Sequence, residues 1–526
     1  MSVSENELFK LLPYCKEEAL MTVSVWILGD QLLIEHPALA QAELARPRQE
    51  VVVLMVESQT QIQRMPYHAK KLVLLISAMR HYAETLREAG FCVDYRSADK
   101  ITKAILEHLQ EYKPDNFFMM EASSWRGRKF QRNLSADFGV KTVLVPNTQF
   151  LTGQYDPLPD VPADQPIRQE QFYRKMRQHF KLLMDDGGQP LGGQWNFDQK
   201  NRQPLPKTLN IPEIISFDPD SITRRVIDEM NQTYSVTGEI AGFDLAVTPE
   251  GAMQAFEEFL SQRLPYFGTY EDGMRQGESE LFHSKLAVYL NIGLLEPLNL
   301  VRAAEQAYHH GTAEINNVEG FIRQVIGWRE YMYWQYQRLM PDLGEENYWG
   351  ANRPLPTFFW KKGETKLNCL GNVIDRVLKS GYTHHIERLM VLSNFCLLTG
   401  INPHQVYEWF SCAFIDAYEW VMVPNVYGMG LFADGGKVAT KPYIASANYI
   451  NRMSDYCKDC YFDKGLRTGS QACPYNFLYW QFLLKHQEKL TQNPRMARML
   501  HNLRFLDDEE RSAVLVQAND FITSLG

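Results

Sequence analysis

The chain has 526 residues, 45% of them hydrophobic and 22% charged, with a net charge of −9. That length exceeds one ordinary core and points to two or more domains, and the composition excludes a disordered or low-complexity chain. No run of about 18 apolar residues is present to span a membrane, and the first twenty residues carry Glu5, Glu7, Glu17 and Glu18 where a secretory signal would have a basic start and a long apolar stretch.

A soluble, cytoplasmic monomer is therefore expected, in which the 8 cysteines read as thiols or metal ligands. The negative total does not exclude a nucleic-acid partner, because phosphate binding needs only a local basic surface. Aromatic side chains are abundant, with 10 Trp, 26 Tyr and 28 Phe. Large cores account for them, and such rings also stack on bases and carry electrons.

Residues 1–20 read as an N-terminal extension. Apolar runs follow at 23–28 and 51–56, leading to Asp30 and Glu57, with further strand candidates at 92–95, 116–120 and 142–145 and a helix at 69–89. Short buried strands alternating with helices predict a doubly wound parallel α/β domain over 21–150. Ligands of such sheets bind beyond the carboxyl ends of the strands, where Asp30 and Glu57 fall. Either carboxylate would serve equally as a helix cap.

Residues 151–245 are rich in Pro, Gly, Asp and Gln and read as a long interdomain linker. One helix is expected in it, over 169–184, carrying Arg174, Lys175, Arg177 and Lys181 beside Phe172, Tyr173 and Phe180. It is either a solvated amphipathic face or a grip on a phosphate backbone. From 246 to 526 the pattern is helical, with helices at 251–260, 281–291, 318–339, 384–399 and 405–411 between Gly and Pro punctuation. An all-α domain follows the α/β domain.

Cys457-Lys-Asp-Cys460 precedes Cys473-Pro474, and Cys369 lies far upstream. Four thiolates suit zinc or an iron–sulfur cluster. One close pair plus two single cysteines, one followed by Pro, fits the cluster better than a zinc ribbon of two pairs. Cys396 and Cys412 lie in apolar helical context and read as core thiols, and Cys15 and Cys92 as unengaged.

Several of these segments together resemble the photolyase–cryptochrome family. The run from Leu281 to Gly293, with His283, Ser284, Lys285 and Leu286, is similar to the family's flavin-phosphate segment, with Ala287 at its second serine position. A hydroxyl and backbone N–H groups at a helix start suit a pyrophosphate. Phe321 to Tyr331, with Gln324, Trp328 and Arg329, resembles the helix Leu-Ile-Trp-Arg-Glu-Phe with one Gly inserted. The resemblance implies that Arg329 pairs with Asp416 beneath the flavin, and that Asp416, Glu419 and Asn425 belong to the loop holding its ring.

The quartet Cys369, Cys457, Cys460 and Cys473 matches the bacterial iron–sulfur branch, closest to prokaryotic (6-4) photolyases, and residues 27–32 and 192–198 are similar to that branch too. The resemblance covers about residues 22–500. It implies FAD, a 4Fe–4S cluster, and the antenna 6,7-dimethyl-8-ribityllumazine near Asp30 and Glu57. It also implies repair of (6-4) pyrimidine–pyrimidone lesions in damaged duplex DNA.

Such repair needs an electron delivered to a flipped-out base and a proton for a migrating hydroxyl. The segment Thr383-His384-His385-Ile-Glu-Arg-Leu389 resembles the His-His-x-x-Arg-His of eukaryotic (6-4) photolyases, with Leu389 in place of the last His. Thr383 is expected as the N-cap, His384 and His385 as proton donors, and Glu387 as a charge able to support the imidazolium. Trp360, Trp409 and Tyr418 are the candidates for carrying electrons to FAD. Asp272 could take a divalent cation or simply occupy a turn. The rival readings are a blue-light photoreceptor with the same cofactors and a non-catalytic iron–sulfur nucleic-acid-binding protein.

Overall fold

The computed structural model of the chain describes residues 22–525, except 164 and 235. The expected extension at 1–20 lies outside them, as does Cys15. Five strands, β1 (Val23–Trp26), β2 (Val51–Ser58), β3 (Cys92–Ala98), β4 (Asn116–Met120) and β5 (Thr142–Val145), pair in parallel in the order β3-β2-β1-β4-β5. Alternate side chains go to opposite faces. Val23, Val25, Val53 and Met55 pack with Leu72, Val73, Ile76 and Met79 of helix Ala69–Glu88. Trp26, Leu54, Phe117 and Met119 pack on the other face with Ile105 and Leu134 of helices Ile101–Tyr112 and Trp125–Phe138. Both faces are covered, as a parallel sheet requires.

Strand order reverses between β1 and β4, which places a ligand crevice at their carboxyl ends. Asp30 stands there and accepts a hydrogen bond from Ser123 Oγ at 2.7 Å. The crevice abuts the helical part of the chain: Leu32 N donates to Ile292 O at 2.8 Å, and Gln149 Nε2, which donates to Asp30 O at 2.7 Å, also reaches Asn291 O at 3.4 Å. Gly293 is obligatory at this seam, because at φ +89° any Cβ would sit 2.8 Å from Leu32 N.

The segment after the sheet is a packed arm. Helix Gln169–Phe180 stops four residues before the expected end at 184, with a left-handed Lys181 following it, and buries Phe172, Tyr173 and Met176. A second helix, Ser221–Thr233, was not foreseen; Asp220 caps it by accepting Thr223 N at 2.8 Å, and it lies against helix Ala69–Glu88 through an Arg80–Glu229 ion pair.

In the remainder, Ile315–Ile322, Arg323–Arg329 and Glu330–Leu339 run on as one rod, and His385–Glu387, Arg388–Ser393 and Asn394–Thr399 as another. The helix expected over 281–291 shrinks to Ala287–Leu290, since Leu281 and Lys285 adopt positive φ of 50° and 57°. Among the described residues no helix is long and apolar enough to cross a membrane.

Candidate functional site

A cavity of about 860 Å³ opens in the helical part of the chain. Three wider, π-type turns converge on it: Arg323–Arg329, Arg388–Ser393 and Pro424–Gly430. Such turns cost hydrogen-bond regularity and occur chiefly where function fixes a side chain. The first presents Gln324, Trp328 and Arg329, the second Arg388 and Ser393, the third Asn425 and Met429. His283, Ser284, Lys285 and Leu286 line it from their loop, as do Asp416, His385 and Asp272. Of the ten residues expected to hold a flavin, only Glu419 is not in its wall; it accepts the Tyr336 hydroxyl at 2.7 Å instead.

The expected Arg329–Asp416 pair does not form. Asp416 binds Arg388 through two parallel bonds of 2.9 Å, and Arg388 Nε donates to Thr383 O at 2.7 Å. Arg329 bonds Glu330 at 2.7 Å and Gln149 O at 3.2 Å, with its guanidinium 4.5 Å from the Phe150 ring centre. Lys285 is likewise engaged, its Nζ 2.6 Å from Glu280, whose other oxygen is 3.2 Å from Arg263.

The two adjacent histidines separate. His385 faces the cavity and is open to it; protein mass on its other side, and then Arg388, hold its pKa down at about 4. His384 does not reach the cavity. It is buried and stacks on His283, ring centres 4.4 Å apart and 10° from parallel, and burial drives both pKa values well below the usual imidazole range. The N-cap position falls to His384, not Thr383. Thr383 Oγ1 donates to Glu387, which also takes Arg376 and the Tyr456 hydroxyl and is fully buried. Glu387 is committed to these donors, with His384 Nε2 3.7 Å away.

The four cysteines Cys369, Cys457, Cys460 and Cys473 are free thiols lining one small cavity of their own. Burial pushes Cys369 far up, Cys473 to about 12 and Cys457 to about 11. Among the described residues, no three His, Cys, Asp or Glu are gathered so as to hold a metal ion. Cys396 and Cys412 are buried thiols as expected, whereas Cys92 is disulfide-bonded.

Trp409 is fully buried, donates its indole N–H to Phe359 O at 3.0 Å, and lies 5.2 Å from Phe410 of the cavity wall. Trp360, next to Phe359, is 36% exposed. Tyr418 has the Lys71 ammonium 5.2 Å from its ring centre, a cation that opposes oxidation of the ring. Trp420, which the sequence reading missed, is a fully buried cavity residue 4.7 Å from Phe150.

On the basic helix, Arg174 and Lys175 are exposed, Arg174 bonding Glu170 at 2.6 Å. Arg177 is fully buried and spends its guanidinium on the carbonyls of Leu182, Leu183 and Trp195. It cannot meet a phosphate from there. Glu57 is also committed, bonded by Arg80 at 2.8 and 3.1 Å and by the Tyr95 hydroxyl at 2.5 Å. Asp272 accepts the Tyr449 hydroxyl at 3.0 Å, and burial raises its pKa.

Residues 25–245 match a family model described as deoxyribodipyrimidine photo-lyase-related protein. Over 512 residues the chain is 40% identical to a (6-4) photolyase of Agrobacterium fabrum (strain C58 / ATCC 33970), covering 96% of this chain and 100% of that protein. In structure it resembles a bacterial class III photolyase from Agrobacterium tumefaciens, with TM-score 0.58, 15% identity, and 97% and 99% of the two chains covered. A cryptochrome of Synechocystis sp. PCC6803 gives TM-score 0.58 at 13% identity, covering 97% and 100%. These two likenesses carry the fold alone, while the 40% identity along the full length of the relative carries the family. The chain belongs to the (6-4) photolyase family.

Proposed function

We propose that this chain repairs (6-4) pyrimidine–pyrimidone photoproducts in damaged duplex DNA by a light-driven reaction, with FAD in the large cavity and the lesion flipped in from its mouth. The observation that carries this reading is the convergence of the flavin-type segments and His385 on one cavity, in a chain 40% identical along its length to a (6-4) photolyase. The residues fit a flavin: at about 860 Å³ the cavity lies toward the upper end of the roughly 300–1,000 Å³ of ligand sites. Trp328, Met332, Trp420 and Met429 give it apolar walls, and Ser284, Gln324, Asn425 and the Arg388–Asp416 pair give it fixed polar groups. Bound there, reduced FAD would supply on excitation the electron that lesion opening needs.

The chain's own groups do the rest. Arg388 and Asp416 fix a charge pair at the wall, and the aromatic walls exclude water. His385, as the imidazolium, donates a proton to the migrating hydroxyl and is left as the neutral ring. Its low resting pKa is met by the substrate, because the phosphates of a flipped nucleotide favour the imidazolium. Trp360 and Trp409, with Phe359 and Phe410 between and beyond them, offer a route for electrons from the surface.

We assign a 4Fe–4S cluster to the cysteine cavity: four thiols line it, and their pattern of one close pair and two single cysteines, one of them followed by Pro474, favours a cluster over a zinc ribbon. We assign the lumazine antenna to the crevice beyond β1 and β4, where Asp30, already accepting Ser123 Oγ, is the acidic side chain at the switch point; Glu57, paired with Arg80, drops out. Arg174 and Lys175 are the proposed backbone contacts.

Purification in air, an absorption spectrum, an iron and sulfide assay, then illumination with a (6-4)-containing oligonucleotide test the reading. Bound flavin, iron and sulfide near about four each per chain, and light-dependent loss of the lesion are expected. Bound flavin without repair would favour the photoreceptor, and colourless protein would refute both.

A further inference from the structure

The cysteine cavity has two tyrosines in its wall, Tyr456 and Tyr475, and both reach out of it to one helix. Tyr456 precedes Cys457, and its main-chain carbonyl accepts Asn368 Nδ2 at 2.8 Å, from the residue before Cys369. Its hydroxyl donates to Glu387 Oε1 and accepts Arg376 Nη2 at 3.1 Å. Tyr475, two residues beyond Cys473, donates its hydroxyl to Val391 O at 2.9 Å. Both rings are fully buried.

Glu387 and Val391 bracket Arg388, Leu389 and Met390, all three in the wall of the large cavity, and Glu387 lies two residues past His385. The physics makes these tethers decisive for local geometry. The π-type turn Arg388–Ser393 departs from the regular i→i−4 ladder, and at Val391 O, which Asn394 N also reaches, the Tyr475 hydroxyl adds a donor from outside the helix. A carboxylate buried like Glu387 is tolerable only when its oxygens are saturated with donors, and Tyr456 is the donor at Oε1. Neither tyrosine hydroxyl bonds the Ser284 loop or the Asn425 turn.

We infer that the cysteine cavity is a positioning device for the lesion side of the large cavity: through Tyr456–Glu387 and Tyr475–Val391 its walls set the register of the helix that carries His385 and Arg388. Tyr456, Tyr475 and Glu387 are positioning residues, since none of them lines the large cavity. Loss of what the thiols hold, or their oxidation, then disturbs His385 before it disturbs the flavin-phosphate loop. What that register serves rests on the function proposed above; its existence does not.

The test uses Tyr456→Phe and Tyr475→Phe, singly and together, as purified holoprotein, with Glu387→Gln as a further probe of the same link. Flavin and iron per chain, the rate of flavin photoreduction, kcat and KM for a (6-4) oligonucleotide, and the His385 ring resonances in histidine-labelled protein are measured. Flavin content and photoreduction should stay within about twofold of wild type while kcat falls about tenfold or more in the double variant and KM changes less than about threefold. The His385 resonances should move in the variants, and chelating the iron should move them in wild type more than in the double variant, as coupled sites require. Unmoved His385 resonances in every variant would overturn the inference, as would equal losses of photoreduction and repair. If wild type repairs nothing, the functional reading fails and the resonances alone decide: a shift sustains the link and its absence overturns it.

Discussion

His385 faces the cavity with a resting pKa near 4, so in the DNA-free protein at neutral pH only about one ring in a thousand carries the proton that lesion chemistry needs, and the phosphates of bound DNA raise that fraction. The protonated fraction grows about tenfold per pH unit as pH falls toward that value. Repair by wild type should therefore rise between pH 8 and pH 6 under single-flash turnover, and a flat profile would assign the neutral ring a hydrogen-bonding role only. His385→Ala should keep its flavin and photoreduction, lose about a hundredfold or more in repair, and lose the slope with pH. His384 looked equivalent in sequence, yet it is the extended N-cap residue while His385 begins the helix, so the two rings leave the backbone in different directions, and His384 turns inward onto His283. No property of the dipeptide alone says which. The mistaken partner of Asp416 has a similar cause: two arginines, Arg329 and Arg388, line the same cavity. Arg388 was in plain view in the His-His-x-x-Arg segment, but only the fold shows that its fork closes on Asp416.

At the scale of elements, alternating apolar strands and helical periodicity were legible, and β4 and β5 fall on the expected residues. Periodicity does not identify a π-type turn, because its one extra residue shifts the apolar phase by about 100°, a skip that reads in a short window as an ordinary irregularity of the stripe. The trace it did leave was the inserted Gly327 in the Phe321–Tyr331 segment; a Cβ there would meet the end of the Gln169 side chain at 2.6 Å and the Tyr173 ring at 3.0 Å, so the arm helix packs closely on the bulge at this glycine. The arm helix itself shows why a run of basic residues is not yet an interface. Arg174 and Lys175 face out, whereas Arg177, three residues on from Arg174, holds three carbonyls in the interior. Replacing Arg174 and Lys175 by Ala should weaken damaged and undamaged duplex alike and flatten the log–log salt slope by up to about two, or about 0.9 per lost phosphate contact. Arg177→Met should leave that slope unchanged and lower the melting temperature instead, since it orphans buried carbonyls at about 1–3 kcal/mol each. A salt slope that responds to Arg177→Met and not to the exposed pair would reverse the assignment.

Across the whole molecule, the change from strand–helix alternation to pure helix announced two kinds of architecture, but not how closely they are joined. Contacts between residues hundreds apart leave no mark on local pattern. One core runs from Val25 beneath the sheet to Trp420 and Phe482 among the helices, and Lys71 shows how polar groups stitch the same seam. It stands on helix Ala69–Glu88 with only 7% exposure and donates to Ser411 O at 3.2 Å and Ala417 O at 2.5 Å, beside the Asp416 loop. Burial lowers its pKa from 10.5 to about 8, despite the opposing pull of Cys412 and Asp416. The folded chain thus holds fewer protons than the unfolded chain between about pH 8 and pH 10.5, so this group makes stability rise with pH through that window. Below it, keeping the buried ammonium charged costs roughly 3 kcal/mol, the equivalent of a shift of about 2.5 units. Lys71→Met removes the titration but leaves two carbonyls without their donor, a penalty independent of pH. Urea unfolding of both proteins from pH 7 to pH 10 should show the difference in stability moving toward wild type by up to about 3 kcal/mol as pH rises. A difference that stays constant with pH would mean that Lys71 is solvated by the seam as well as it is by water.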